Sequence, residues 1–288
     1  MNELTIGFSP CPNDCFIFDA MINGKIDTEG LSFSASISDV EDLNRKAFRT
    51  ELDITKISYH AYAYIYNDYV LLHSGSALGN NCGPLLISKK DYGSQMPDIT
   101  HFRIAIPGKY TTANLLLGLF NHNASDKTEM IFSNIENALL NDEVDAGVII
   151  HENRFTYQQK GLHKIIDLGE HWETTAHSPI PLGGICVKRS MDLELKQTIN
   201  RVLRRSIEFA FANPDSGMDF IRAHAQEMEE EVMRKHIELY VNAFSIDLGE
   251  VGINAVRTLF DRATKAAIIP AMDLEIFIEK ENLNTTIS

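Results

Sequence analysis

The amino-acid sequence predicts an α/β fold of two lobes with a cleft between them. Strand-like and helix-like patterns alternate through most of the 288 residues, which is typical of α/β layers with a largely parallel sheet. A second βαβ series begins near residue 98, and the apolar segments 83–90 and 181–189 on either side of it look like crossings between lobes. We therefore predict a smaller inserted lobe over residues 98–186 and a larger lobe over residues 1–97 and 187–288.

The elements follow in order from hydrophobic periodicity. In the first lobe the strand candidates are residues 4–8, 31–37, 53–57, 69–72 and 84–88, and residues 14–21 are a helix. In the insert the strands are 103–106, 129–132 and 145–150, and the helices are 111–120 and 135–140. After a last strand at 185–188 the chain is nearly all helical, with a break at 213–215 and further helices at 218–225, 232–244 and 251–267.

Composition narrows the classes of partner. The formal net charge is −14, and the one dense acidic stretch, residues 227–231, is predicted to be a solvated helix face. Nucleic acid is an unlikely partner, because phosphate binding needs a concentrated basic surface. No apolar stretch is long enough to span a bilayer. The last helical stretch is predicted to pack on the other lobe or on a second copy of the chain, so a homodimer stays open.

The cysteines and the start of the chain bear on compartment. Four scattered cysteines (Cys11, Cys15, Cys82 and Cys186) are too few for a secreted disulfide framework. The first strand begins at residue 4 without the basic and apolar segments of a signal peptide. We therefore expect a cytoplasmic protein.

The best catalytic candidate is His151. It follows the apolar run of the segment DAGVIIHENRFTY, residues 145–157, at the carboxyl end of a strand predicted to be buried. Open α/β sheets place ligand chemistry at these ends, and a histidine exchanges a proton near neutral pH. The alternative is a hydrogen-bonded histidine that only closes a strand.

Three other segments have the same design, in which a strand ends, small polar residues follow and a helix starts. In the first, Ser9 or Asn13 caps a helix whose free amides point outward, beside Asp14. A well-capped loop with no further role explains this segment equally simply.

The second and third segments offer groups for an anion. Lys56 and Ser58 stand at the end of the strand 53–57, where the lysine either pairs with a substrate carboxylate or is simply solvated. Thr111 and Thr112 begin a helix with two hydroxyls and unpaired amides, which suit a carboxylate or serve merely as a cap.

Other motifs are excluded by spacing. Gly108-Lys109 is not a phosphate-binding loop, because Arg103 and Tyr110 occupy the positions of its first glycine and its hydroxyl. The zinc pattern HExxH is missing, since Phe155 stands four residues after His151. The spacing of Cys11 and Cys15 is too weak to indicate a metal, and no obvious base lies beside Cys11 in sequence to make it a nucleophile.

Taken together, four ordered motifs resemble those of the 1,4-dihydroxy-6-naphthoate synthases of the futalosine route to menaquinone: SPCPNDCFIF (9–18), DITKISYHAY (53–62), AIPGKYTTANLLL (105–117) and DAGVIIHENRFTY. The segments PIPLGG (179–184) and YVNAFS (240–245) extend the resemblance over nearly the whole chain. It implies the two-lobed fold of type II periplasmic solute-binding proteins in a cytoplasmic enzyme. It also implies a cofactor-free lyase that converts cyclic dehypoxanthine futalosine to 1,4-dihydroxy-6-naphthoate and releases dihydroxyacetone.

The resemblance also assigns residues. It implies that His151 accepts the proton and that substrate is contacted by Lys56-Ile57-Ser58 and Thr111-Thr112. The sequence departs from the family at Cys15, where threonine is common, and at Asn153, where glycine is common. Asparagine tolerates positive φ better than most residues, so we expect the turn to survive.

Both arguments lead to one hypothesis, in which neutral His151 removes a substrate proton without a metal ion. Ser58, Thr111 and Thr112 would bind the carboxylate, and Ser9, Asn13 and Asp14 would line the facing wall. Arg154 is predicted to contact substrate, or to pair with Glu152 or Asp14 in a purely structural role. The alternative functions are a non-catalytic carboxylate-binding protein and the chorismate dehydratase of the same pathway.

Overall fold

The computed structural model describes residues 3–151, 153–225 and 229–281, which form two β-sheets with helices packed on them. The first sheet has the strand order β2-β1-β3-β11-β4, and β5 also pairs with β11. Its strands are β1 (Glu3–Phe8), β2 (Ser32–Ile37), β3 (Ile54–Ser58), β4 (Tyr69–Leu71), β5 (Ala77–Gly79) and β11 (Ile180–Lys188). The mixed α/β architecture with two sheets is the predicted fold class.

The second sheet has the strand order β10-β6-β9-β7-β8. Its strands are β6 (Leu85–Ser88), β7 (Ile104–Ile106), β8 (Lys127–Glu129), β9 (Ala146–Ile149) and β10 (His163–Asp167). Every residue of β6, β7 and β9 is buried, as their continuous apolar runs predict.

The helices described are α1 (Pro12–Ile22), α2 (Val40–Phe48), α3 (Tyr59–Tyr62), α4 (Thr112–Phe120), α5 (Ile135–Leu140), α6 (Asn153–Thr156), α7 (Leu168–Ala176), α8 (Leu193–Ala212), α9 (Met218–His224), α10 (Glu230–Tyr240), α11 (Ala243–Ile246) and α12 (Gly249–Lys265). The two longest helices described, α8 and α12, both follow β11. No helix within the described ranges is both long and apolar enough to cross a membrane.

Strand direction corrects the prediction of a largely parallel sheet. The pairs β1–β2, β1–β3, β7–β8 and β7–β9 are parallel. The crossing strands run the other way, since β11 is antiparallel to β3, β4 and β5, and β6 is antiparallel to β9 and β10. A crossing strand enters its sheet from the cleft, toward which the carboxyl ends of the parallel strands point, so it runs opposite to its neighbours. Hydrophobic periodicity carries no information about that direction.

The chain passes from the first sheet to the second and later returns to the first. Both of these points lie earlier in the sequence than the boundaries predicted at 97/98 and 186/187. Strand β6 already belongs to the second sheet, and β11 belongs to the first sheet from Ile180 onward. Both segments read correctly as strands, but a short apolar run does not reveal which sheet it will pair with.

Several elements differ from the sequence prediction. The strand predicted at 129–132 is displaced, because β8 ends at Glu129 and a 3₁₀ turn follows at Phe132–Asn134. Helices α2, α3, α6 and α7 and strands β5 and β10 were not predicted. The elements α3, α6 and β5 have only three or four residues, too few for periodicity to show, whereas α2 has a clear apolar face and was overlooked. The helix predicted at 232–244 is two helices, because Asn242 caps α11 by accepting from the amide of Phe244 at 2.9 Å.

The C-terminal segment at residues 276–278 packs on the first sheet of the same chain. Leu71 in β4 accepts from the amide of Ile278 at 3.0 Å and donates to Ile276 at 2.8 Å, so this segment extends the first sheet. Residues 227 and 228 of the predicted acidic face lie outside the described residues. The exposed Glu230 and Glu231 at the start of α10 pair with neighbouring cations, as expected of a solvated face.

Candidate active site

A cavity lies between the two sheets, at the carboxyl ends of β1, β3 and β9. Nine of the ten predicted site residues line it: Ser9, Asn13, Asp14, Lys56, Ile57, Ser58, Thr111, Thr112 and His151. Sequence reasoning missed other lining residues, which are Val40, Ala77, Cys82, Pro84, Ala113, Ile150, Leu182, Gly183 and Tyr240. Most of these are apolar, and single apolar residues carry no sequence signal for a site.

His151 is held in an unusual backbone conformation at the end of β9. Its φ is 58°, in the left-handed region that non-glycine residues rarely adopt. Its Nδ1 lies 3.5 Å from Cys11 Sγ, and the edge of the ring contacts Phe132 with the ring centroids 5.0 Å apart. Its Nε2 is buried and has no hydrogen-bond partner among the described residues. Such outliers cluster at functional sites, where the surrounding structure sustains the strain.

The strain at this turn lies on His151 rather than on Asn153. We expected positive φ at Asn153, but that residue begins α6, and its side-chain amide donates to Glu136 Oε2 at 2.7 Å. Glu136 is buried and also binds Lys160 at 2.6 Å. The turn is therefore held by a buried carboxylate, a contact between residues far apart in sequence.

His236, which sequence reasoning did not select, stacks on His151. The ring centroids are 5.8 Å apart with an interplanar angle of 12°. His236 is fully buried, and its Nε2 donates to Asn13 Oδ1 at 2.9 Å. Burial lowers the pKa of His236 well below 6.5, and the positive charge of Lys56, together with that of His151 when it is protonated, lowers this pKa further. The ring is therefore neutral at physiological pH.

Lys56 and Asp14 form a buried ion pair in the lining of the cavity. Lys56 Nζ lies 3.0 Å from Asp14 Oδ1, and the two side chains are 8% and 1% exposed. Asp14 also accepts from the Ser9 amide at 3.1 Å, from Ser9 Oγ at 2.7 Å and from Asn13 Nδ2 at 2.9 Å. Lys56 is thus not a solvated strand-end lysine, and the carboxylate organises the SPCPND turn.

The two threonines use their hydroxyls within the protein. Thr111 Oγ1 donates to Gly108 O at 2.8 Å and caps α4, and Thr112 Oγ1 donates to Leu182 O at 2.6 Å. The amides of Thr112 and Ala113 are the first of α4 and have no acceptor among the described residues. These amides, more than the hydroxyls, are the groups available to an anion.

Ser58 lies at the end of β3 and also lines the cavity. Its Oγ accepts from Asn44 Nδ2 at 3.1 Å, and its amide donates to Asn44 Oδ1 at 3.0 Å. Asn44 therefore orients the serine so that the hydroxyl proton remains for a ligand.

Arg154 lies outside the cavity lining. Its guanidinium donates to Gly83 O and pairs with Asp167 Oδ2 at 3.0 Å. The predicted pairing with Asp14 is wrong, because Asp14 is occupied by Lys56 and Ser9, and Glu152 lies outside the described residues. These contacts tie the segment after His151 to the β5–β6 crossing and support a structural role.

Cys15 lies behind the site rather than in it. It is fully buried, its Sγ faces Pro10 O at 3.5 Å, and burial raises the pKa of its thiol far above the usual range. Threonine at this position would therefore hydrogen-bond the SPCPND turn instead of a ligand. Within the described residues, no three His, Cys, Asp or Glu side chains come together as metal ligands would.

Two sheets joined by crossing strands around a ligand-sized cavity define a periplasmic-binding-protein-like fold. The alkanesulfonate-binding protein of Xanthomonas axonopodis pv. citri, solved with bound MOPS, has this fold with a TM-score of 0.70 over 96% of both chains. At 13% sequence identity that likeness establishes the fold alone.

Closer matches identify the family. Residues 4–265 match the family model described as menaquinone biosynthesis. The 1,4-dihydroxy-6-naphthoate synthase of Thermus thermophilus is 40% identical over 96% of this chain and its own full length. That of Streptomyces coelicolor is 39% identical over 94% of this chain and 96% of its own. A crystal structure from Archaeoglobus fulgidus is 35% identical, with a TM-score of 0.87 over 93% of this chain and 98% of its own. The chain belongs to this menaquinone-biosynthesis family, with the 1,4-dihydroxy-6-naphthoate synthases, and is an enzyme.

Proposed function

We propose that this enzyme converts cyclic dehypoxanthine futalosine to 1,4-dihydroxy-6-naphthoate by general-base catalysis at His151. The substrate is the one that the family resemblance implies, and dihydroxyacetone is the released fragment. The residues of the cavity supply the groups that such a reaction needs, which are a base, an anion-binding end and an apolar wall for a ring system.

The unsatisfied Nε2 of His151 carries the proposal. A buried ring nitrogen without a partner costs free energy unless a bound group completes it. His151 also lines the cavity, so a bound ligand is adjacent to the ring. When Nδ1 carries the proton and faces Cys11, Nε2 presents a lone pair, which is the form a general base requires.

The cavity also offers groups that bind an anion. They are the α4 amides of Thr112 and Ala113, the Ser58 hydroxyl and the Lys56 ammonium. A helix N-terminus and a lysine both favour a carboxylate, and the substrate has one. Binding this carboxylate would fix the distance of the reacting carbon from His151.

The proton balance of the proposed reaction is closed. His151 takes a proton from a substrate C–H, and the electron pair moves into the adjacent carbonyl. The sugar-derived ring then opens, and the carbon–carbon bond to the three-carbon fragment breaks with its electron pair on the fragment. The proton returns to the departing three-carbon fragment, so the histidine ends neutral. Formation of the aromatic naphthoate supplies much of the driving force.

The test is turnover of cyclic dehypoxanthine futalosine, followed by the absorbance of the naphthoate, in wild type and in His151→Asn. Asparagine tolerates left-handed φ, so this variant keeps the backbone of the turn and loses the base. We expect kcat to fall by about 10²–10⁴-fold, with KM changed less than about threefold. The exposed His122→Asn is the matched control and should be unchanged.

Three outcomes would overturn the proposal. Near-normal kcat in His151→Asn would remove the base assignment. Turnover of chorismate in place of the futalosine derivative would favour the dehydratase. Saturable binding of a carboxylate without any product would favour a binding protein.

A further inference from the structure

We propose that His236 is a positioning residue for His151. The His236 ring is oriented by its hydrogen bond to Asn13, and the His151 imidazole stacks on it from the other side of the cleft. This inference rests on the proposed function, since it assigns a role relative to the base. It adds a residue that lies outside the cavity lining and outside the motifs selected from the sequence.

The contact joins the two lobes. His151 extends from β9 of the second sheet, while His236 is carried by α10, which packs against α1 and β5 of the first lobe. The rings are nearly parallel, at 12°, with centroids 5.8 Å apart. Cys11 touches His151 from the same lobe as His236. The position of the His151 ring is therefore set by contacts with Cys11 and His236 of the opposite lobe.

A chain of hydrogen bonds fixes the orientation of the His236 ring. Its Nε2–H donates to Asn13 Oδ1, and Asn13 Nδ2 donates to Asp14, which is paired with Lys56. Because the Asn13 amide is anchored at its nitrogen end by a carboxylate, its oxygen must face His236. The ring thus has a defined tautomer and a defined plane.

The stack does not oppose a positive charge on His151. Among the described residues, that ring contacts the Cys11 thiol, the Phe132 ring and His236, and His236 is linked through Asn13 to the Asp14–Lys56 pair. Burial keeps the pKa of His236 well below 6.5, so this neighbour remains neutral when His151 takes a proton. A positively charged neighbour would oppose that step by like-charge repulsion.

The first measurement compares His236→Phe, which keeps a planar ring, with His236→Leu, which does not. Misplacement of a catalytic group by about 1 Å costs up to roughly 10²-fold in rate. We expect kcat to fall about 10- to 100-fold in His236→Leu, with KM within about threefold, and His236→Phe to recover most of that loss.

His73→Leu is the matched control. His73 is also buried and stacked on an aromatic ring, Phe277, at 5.6 Å and 13°, and its Nε2 contacts Ile278 O at 2.9 Å, but it lies away from the cleft. It should lose stability to a similar degree and keep the kcat of wild type. Equal losses of kcat in His73→Leu and His236→Leu, or no rescue by phenylalanine, would overturn the proposal.

A second measurement needs no substrate, so it separates failure of this inference from failure of the proposed function. Nitrogen-15 NMR of the imidazoles reports tautomer and protonation in the resting enzyme. We expect wild-type His236 to stay neutral with the proton on Nε2 from pH 8 to about 5, and the His151 ring signals to change in His236→Leu more than in His236→Phe. Identical His151 signals in wild type and His236→Leu would overturn the positioning role, whether or not the futalosine derivative is the substrate.

Discussion

Replacing Lys56 by methionine tests the buried ion pair that organises the floor of the cleft. Breaking such a pair typically costs about 3–5 kcal/mol, because an uncompensated charge is left in a low dielectric. Here Asp14 keeps three hydrogen bonds from Ser9 and Asn13 after the lysine is lost. We therefore expect the free energy of unfolding to fall by about 2–3 kcal/mol, below the full range.

Lys188→Met provides the comparison. Lys188 pairs with Asp53 at 2.9 Å in the same sheet, but both side chains are about one-quarter exposed, at 28% and 25%. Screening by water reduces such a pair to less than about 1 kcal/mol. Urea unfolding followed by circular dichroism, extrapolated linearly to water, measures both variants. If Lys56→Met is no more destabilising than Lys188→Met, the argument that burial makes the Asp14 pair important is refuted.

The same variant has a kinetic consequence. Lys56 lines the cavity, so its loss should also raise KM for the carboxylate substrate by about 10-fold or more, since hydrogen bonds to charged groups contribute about 1.5–3 kcal/mol. Effects on kcat should be smaller than those of His151→Asn. An unchanged KM would remove Lys56 from the anion-binding end while leaving its structural role in place.

Three further predictions concern the pH dependence of stability, the backbone at Gly108 and the contacts of Arg154. Burial lowers the pKa of His60 to about 4, so the unfolded chain takes up this proton at a higher pH than the folded chain. The free energy of unfolding should therefore fall by on the order of 3 kcal/mol as the pH drops from about 6.5 to 4. In His60→Asn, whose amide can still donate to Thr111 O, that pH dependence should flatten, and an unchanged slope in urea unfolding would contradict the assignment. Gly108→Ala should lower the free energy of unfolding in urea by about 1–3 kcal/mol, because the φ of Gly108 is 154° and a Cβ would lie 2.7 Å from the Glu41 carboxylate. A change below about 0.5 kcal/mol would show that the loop adjusts to the added methyl group. Arg154→Met should lower the unfolding midpoint while KM stays within about threefold, and a large rise in KM with unchanged stability would restore Arg154 as a substrate contact.

Local sequence was sufficient for the elements whose patterns are strong. Strands β1, β3, β6, β7 and β9 and helices α1, α4 and α8 lie where apolar periodicity predicts them. The polar residues at their ends were therefore also placed correctly, because strand ends in one sheet layer converge on the same edge. That is why so many of the predicted site residues line one cavity.

Other elements and contacts depend on tertiary packing. Strand β10, HKIID, and helix α7, LGEHWETTA, carry mixed patterns that become regular only when packed beside β6 and α4. The true orientation of Arg154 depends on Asp167 and Gly83, and the turn at His151 depends on Glu136. None of these partners is adjacent in sequence to the residue it positions.

Local patterns were therefore enough to predict the α/β class, the order of most elements and the strand-end residues that surround the cleft. The antiparallel crossings, the pairing of Lys56 with Asp14 and the contact between His236 and His151 could be seen only in the folded chain. Periodicity reports which face of an element is buried, because burial is a property of each residue and its near neighbours. It does not report what that face is buried against, since the packing of α10 on the first lobe brings together residues from distant parts of the chain.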